Sequence, residues 1–329
     1  MFTVHDSGTA IFLCFLTMLG WGSWANTQKL AGKEKWPFEL FYWDYCVGVA
    51  VTGLLFFVTL GKAYLGSPST AAEWTAVASG ALFNLANVLL VAAIDAAGMA
   101  VAFPVGIGLA LVIGTGVSYL QTPKGNAVYL IGGVVFVLIA MSVSSVAHSR
   151  LKTAGVTGKN LGLIFSIAAG LLMGFFYPQL MRSMWQIPAG ESAGWTFARP
   201  DPSLLSPYGA LLFFGLGVLV SSLPINWWFM RSRGSSFADV TKARAGIHLP
   251  GILGGAIWMA ALSFNVIASR VAGPAVSYAL GQGATLIAAL WGVFVWHEFK
   301  DAPAGTNRLL AVMLAAYAVG LILIGMATL

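Results

Sequence analysis

Trp21, Ser23, Trp24 and Asn26 crowd the end of one apolar stretch, in the segment GWGSWANTQK, and Asp44 stands between Trp43 and Tyr45 early in the next. Amides, hydroxyls and carboxylates are expensive in hydrocarbon, so within membrane segments they usually turn towards a bundle interior or a watery cavity. Residues 20–48 therefore read as a helical hairpin, joined by a short basic loop (Lys29, Lys33, Lys35), that builds much of a solute pocket. Tryptophan and tyrosine also form the aromatic belt at the membrane surface, a role that accounts less well for Asn26 and Asp44.

Further polar groups recur inside apolar runs. Asn84 and Asn87 lie three apart, hence on one helical face. Gln282 follows Tyr278 by four residues, again on one face. Tyr177 precedes Pro178, and Pro104 interrupts another run; proline frees a backbone carbonyl, tolerated at membrane depth where it lines a cavity. Each amide alone also serves as hydrogen-bonding glue between helices. With Trp21, Trp24 and Trp258 they suggest a neutral, hydrogen-bonding solute stacked on aromatic faces, a sugar or a heterocyclic ureide. No Lys or Arg falls mid-run, which disfavours anionic solutes, since these normally meet a cation in their pocket. Asp44 is the best-placed carboxylate for carrying a proton, with Glu39 a second candidate. The competing reading makes both helix-start acids favoured by the helix dipole, Asp44 being salt-bridged to Lys29 or Lys33. His297-Glu298 closes a run where a contact with Lys300 or Arg308 is one option and a solvated end the other; His248 reads as interfacial. H-E-x-x-H, G-x-S-x-G and P-loop motifs are absent, and His5, His148, His248 and His297 are scattered. The chain reads as neither an enzyme nor a metal protein, with no catalytic residue or cofactor expected and a proton gradient as its energy source.

The elements that position these groups follow from composition. The 329 residues are 58% hydrophobic and 9% charged, with a mean hydropathy of +0.84; soluble domains carry roughly 25% charge. Runs near the ~20 residues that cross a bilayer are predicted at 7–28, 40–60, 72–95, 99–120, 127–147, 160–182, 206–230, 247–268, 273–296 and 307–327. The fold class is an all-α integral membrane protein of ten spans, with long linkers only at 183–205, a Pro-rich surface loop, and 231–246. Residues 1–10 lack Lys and Arg, so the first run reads as a permanent helix rather than a signal peptide. Cys14 and Cys46 both lie in apolar runs and read as small hydrophobes. Alternate loops divide the 17 basic residues into 12 and 5. The richer side should be cytoplasmic and both termini outside, in an inner membrane; the net charge of +6 sets orientation and implies no nucleic acid.

An internal repeat organises the chain. Gly80-Ala-Leu-Phe83 matches Gly255-Ala-Ile-Trp258 at an offset of 175, which also carries Gly98 onto Gly273, Phe103 onto Tyr278, Gly106 onto Gly281 and Gly108 onto Gly283. Five spans per half, 1–150 and 151–329, would insert with opposite orientation. Inverted repeats of this kind typify transporters, with the solute site between the halves near the midplane.

Ten spans in two inverted halves, WGSWANTQK, the WPFELFYWDY entry to the second span and the Trp296-His297-Glu298 ending of the ninth together resemble the drug/metabolite transporter superfamily. Within it they resemble the branch of ureide permeases, glucose/ribose porters and the rhamnose–proton symporter. The resemblance implies an uptake carrier working by alternating access, often with protons. Its implied pocket lies on the first, third, fourth, sixth, eighth and ninth spans: Trp21, Ser23, Trp24, Asn26, Asn84, Asn87, Tyr177, Trp258, Tyr278 and Gln282. The loop at 148–159 lacks the glycine motif of ureide permeases, which favours sugars. The expectation is a proton symporter importing a small neutral polar solute, as monomer or homodimer. The alternatives are an exporter of the same fold and a membrane-embedded binding or regulatory protein.

Overall fold

The computed structural model describes residues 1–33, 35–65, 67–151, 159–185 and 201–328. Among them ten helices are long and apolar enough to cross a membrane, and there is no strand beyond one bridge between Met184 and Leu205. The first span is broken into α1 (Ser7–Ser23) and α2 (Asn26–Lys33). Spans two to seven are α3 (Phe38–Thr59), α4 (Thr70–Ala97), α5 (Met99–Gln121), α6 (Ala127–Ser149), α7 (Lys159–Ser183) and α8 (Pro207–Ser232). A short α9 (Phe237–Lys242) precedes the eighth span, α10 (Leu249–Ala272). The ninth is again broken, into α11 (Pro274–Gly281), α12 (Ala284–Leu290) and a π-helical turn over Trp291–Val295; α13 (Thr306–Met326) is the tenth.

The helix ends follow local chemistry. Asp6, Ser69, Asn126 and Ser206 each accept a first-turn N–H with a side-chain oxygen, satisfying donors that have no partner within the helix. The linker at 231–246 is less irregular than its sequence suggests: Ser236 and Asp239 form a capping box that starts α9. Phe237 then packs edge-on against Trp43, centroids 4.9 Å apart. The loop at 183–205 lies mostly outside the described residues, as does that at 152–158.

Two pairs of glycines tie sequence to packing. Gly98 and Gly273 end α4 and α10 at φ 77° and 87°, a left-handed conformation that suits glycine. Gly80 on α4 and Gly255 on α10 lie where helices cross. A Cβ on Gly80 would overlap the Phe214 carbonyl of α8, and one on Gly255 the Tyr45 carbonyl of α3. α4 packs on α7 and α8 while α10 packs on α1 and α3, and α6 pairs with α13.

Candidate functional site

The ends of the broken spans on the side of the basic loops enclose a cavity of about 200 Å³. Asn26 and Lys29 of α2, Trp291, Trp296 and Glu298 of the ninth span and its end, Pro104 of α5, Ser144 and His148 of α6, and Tyr317 of α13 contribute to its wall. The π-turn explains how two tryptophans reach one wall. Trp291 and Trp296 are five residues apart, a spacing that diverges on an α-helix but lines up where N–H groups bond five residues back, as Trp296 does to Trp291 at 2.9 Å. Their indole N–H groups then donate to Ser23 Oγ (2.9 Å) and Asn26 Oδ1 (2.6 Å). His297, at φ 51°, reverses the chain so that Glu298 meets Lys29 at 2.7 Å. The Lys29 ammonium also lies 4.3 Å from the Trp296 ring centroid. The cavity's cation is thus matched by a carboxylate, and the sequence options for Glu298, Lys300 or Arg308, give way to Lys29. The His148 Nδ1–H donates to the Ser144 carbonyl at 2.9 Å, which directs Nε2 as the ring's other polar atom.

Of the ten residues expected around a solute, Asn26 alone lines this cavity. Ser23 stands behind it, holding Trp291. Trp21, Tyr177, Trp258 and Tyr278 belong to an aromatic cluster deeper in the bundle. Trp258 stacks between Phe83 (4.0 Å) and Trp21 (5.8 Å), Phe176 touches Phe83 and Trp258, and Tyr177 lies on Tyr278 (4.8 Å). Three of their polar tips are occupied: the Trp21 indole donates to the Trp258 carbonyl, Tyr177 bonds Ser277 Oγ at 3.0 Å, and the Tyr278 hydroxyl reaches the Ala110 and Met173 carbonyls. Gln282 sits at the break between α11 and α12, and is nearly buried.

Trp24, Asn84 and Asn87 fall into a third group on the far side of the first-span break. Trp24 lies 4.8 Å from Tyr45. Asn84 donates to Ser221 Oγ at 3.0 Å and accepts the Cys46 thiol.

Asp44 does not pair with Lys29, one of the two lysines expected to hold it. Its Oδ2 accepts the Trp36 indole at 3.0 Å and its Oδ1 the His248 Nδ1–H at 2.8 Å. Lys29 is committed to Glu298, and the Lys33 side chain lies outside the described residues. His248, expected at the interface, is turned inward because α10 crosses α3 so closely that Gly251 lies against Asp44. Glu39, in the first turn of α3, accepts the Ser235 hydroxyl at 2.7 Å. Asp95 pairs with Arg233. At the opposite face, burial and then the adjacent Arg270 hold the Lys124 ammonium below its ordinary pKa; its Nζ donates to the Arg270 carbonyl at 2.9 Å. No cluster of His, Cys, Asp or Glu among the described residues could hold a metal.

No protein-family profile matches the chain. Ureide permease 1 of Arabidopsis thaliana is 21% identical over 392 aligned positions, covering 97% of each chain. A solved crystal structure superposes at a TM-score of 0.61 with 16% identity, over 97% of this chain and 99% of the other; this likeness concerns the fold alone. Ten apolar helices and a full-length similarity to a permease support a multi-pass integral membrane protein of transporter type.

Proposed function

We propose that the protein is a secondary transporter importing a small neutral polar solute, a sugar or a nucleoside- or ureide-like molecule, by proton symport with alternating access. The observation that carries this reading is the cavity between the broken first and ninth spans. Discontinuous helices frame solute sites in many carriers. Its volume of about 200 Å³ is small against the roughly 300–1,000 Å³ of drug pockets, and suits a single ring. Indole faces offer stacking, Asn26, Ser144 and His148 offer hydrogen bonds, and the Lys29–Glu298 pair leaves no lone cation for an anion. The cavity opens on the side of the basic loops, so with the termini outside an inner membrane it faces the cytoplasm. One residue deeper than Gly22, Trp21 begins the aromatic cluster, which serves as the closed gate. The exchange symmetry of the helix neighbours supports two inverted halves, 1–150 and 151–329.

Proton coupling is assigned to Asp44. A carboxylate with one oxygen held by an indole and the other accepting an imidazole N–H can take a proton from the protonated ring along that bond without exposing bare charge to lipid. The pair also joins α3 to α10, one helix from each half. The test is uptake of labelled sugars, nucleosides and ureides into proteoliposomes, with and without an inward proton gradient. Wild type should accumulate one class only with the gradient. Asp44→Asn should abolish accumulation while sparing solute exchange, and His248→Gln should shift the pH profile. Accumulation indifferent to both changes would refute the coupling.

A further inference from the structure

The crossing of α3, α4 and α8 holds polar groups that the closed gate and the cavity do not use. Cys46 accepts the Asn226 amide at 3.6 Å and donates to Asn84 at 3.8 Å, while Asn84 donates to Ser221. Around this chain four buried polar atoms have no hydrogen-bond partner: the Tyr42 and Tyr45 hydroxyls, Asn87 Nδ2 and Asn226 Oδ1. Their residues are 0%, 0%, 8% and 0% exposed. Asn87 lies against Tyr42 outside bonding geometry. Tyr42 and Tyr45 stack at 5.3 Å, and Trp24 leans on Tyr45.

A buried polar group without a partner costs roughly 1–3 kcal/mol, and almost all such groups in folded proteins are paired. Four in one place, on three helices and backed by a fully bonded relay, form a complementary surface rather than scattered defects. The free set comprises an amide donor, an amide acceptor and two hydroxyls that do either. It carries no charge, since Asp44 leaves the opposite side of α3 towards His248. We propose that Tyr42, Tyr45, Asn87 and Asn226 form a binding site for a small uncharged molecule presenting both a hydrogen-bond donor and an acceptor. The site is separate from the cavity, across the first-span break, where Trp24 faces the site and Asn26 the cavity. It extends the transport reading, yet binding there can be measured without transport.

Uracil, which offers planar amide groups, and D-glucose, which offers hydroxyls, are the two probes for the shared chemistry. 1,3-Dimethyluracil, which keeps the carbonyls and loses both N–H donors, is the control. Equilibrium binding is measured on the purified full chain in detergent, with no gradient. One probe should bind wild type, the dimethyl control at least tenfold more weakly, and Asn226→Leu and Tyr45→Phe should each lose about tenfold or more. Tyr45→Phe should stay monodisperse and melt no lower than wild type, since it removes only an unpartnered atom; Asn226→Leu also breaks the amide's bond to Cys46, so Tyr45→Phe keeps the test alive should Asn226→Leu fail to fold. Leu120→Ala, exposed at the end of α5 and outside both regions, should leave this affinity within twofold. Binding unchanged in both variants, or binding of neither probe to wild type, overturns the site. Binding without uptake in proteoliposomes overturns the transport reading instead and leaves the site standing.

Discussion

Two tyrosine pairs sit in this bundle, and they are used differently. Tyr177 and Tyr278 bury their rings in the aromatic cluster and place both hydroxyls on partners, Ser277 Oγ and the carbonyls of Ala110 and Met173. Tyr42 and Tyr45 are equally buried, and neither hydroxyl has a partner in hydrogen-bonding geometry. The first pair belongs to a wall that is complete as it stands. The second belongs to a surface whose complement comes from outside the chain. Among buried tyrosines the fate of the hydroxyl, more than depth, separates packing from recognition.

Substitutions can break that contrast. The largest effect should come from Trp258→Ala, which removes the centre of the completed cluster and leaves its stacking partners facing a void. A loss of about 3–5 kcal/mol is expected, read as a lowered unfolding midpoint in detergent. Next, Tyr177→Phe removes the buried bond to Ser277 Oγ and should cost about 1 kcal/mol, whereas Tyr42→Phe should be neutral or slightly stabilising. Equal losses at the two positions would erase the distinction. Lys29→Ala should change stability by less than about 1 kcal/mol, because the pair with Glu298 is exposed, yet it should alter uptake through the cavity wall. The smallest effect lies outside both regions. Hydrogen bonds from the Ser236 hydroxyl and then its amide hold Asp239 below the usual carboxylate pKa. Its contribution to α9 is therefore present above the ordinary aspartate range and is lost as pH falls through the lowered value. Amide exchange in α9 should quicken there, with the spans unaffected.

The ten spans were legible because length and hydropathy are local properties; predicted and observed ends differ by a few residues at most sites. The breaks were partly legible: Gln282 sits at one of them, and the end of the first span was already rich in polar residues. Partners across the bundle were not. Asp44 and His248 are 204 residues apart, and no periodicity within either span announces their meeting. The π-turn is equally silent, since Trp291-Gly-Val-Phe-Val-Trp296 reads as ordinary apolar helix. Tyr42 and Tyr45 were not separable in the sequence from the other aromatics of the hairpin, whose types fit a pocket or a membrane surface, and only the crossing at Gly255 shows them sealed inside.

The widened turn at Trp291–Val295 has a mechanical consequence. By presenting two indoles to Ser23 and Asn26 at once, it rivets the ninth helix to the first at two points, so in the proposed transport cycle the two would swing as a single jaw. The opposing jaw is then the α5–α6 pair, which meets it across the mouth at Pro104, Ser144 and His148. Removing one residue from the turn would restore α-helical pitch, pull one rivet, and let the two halves of that jaw move independently.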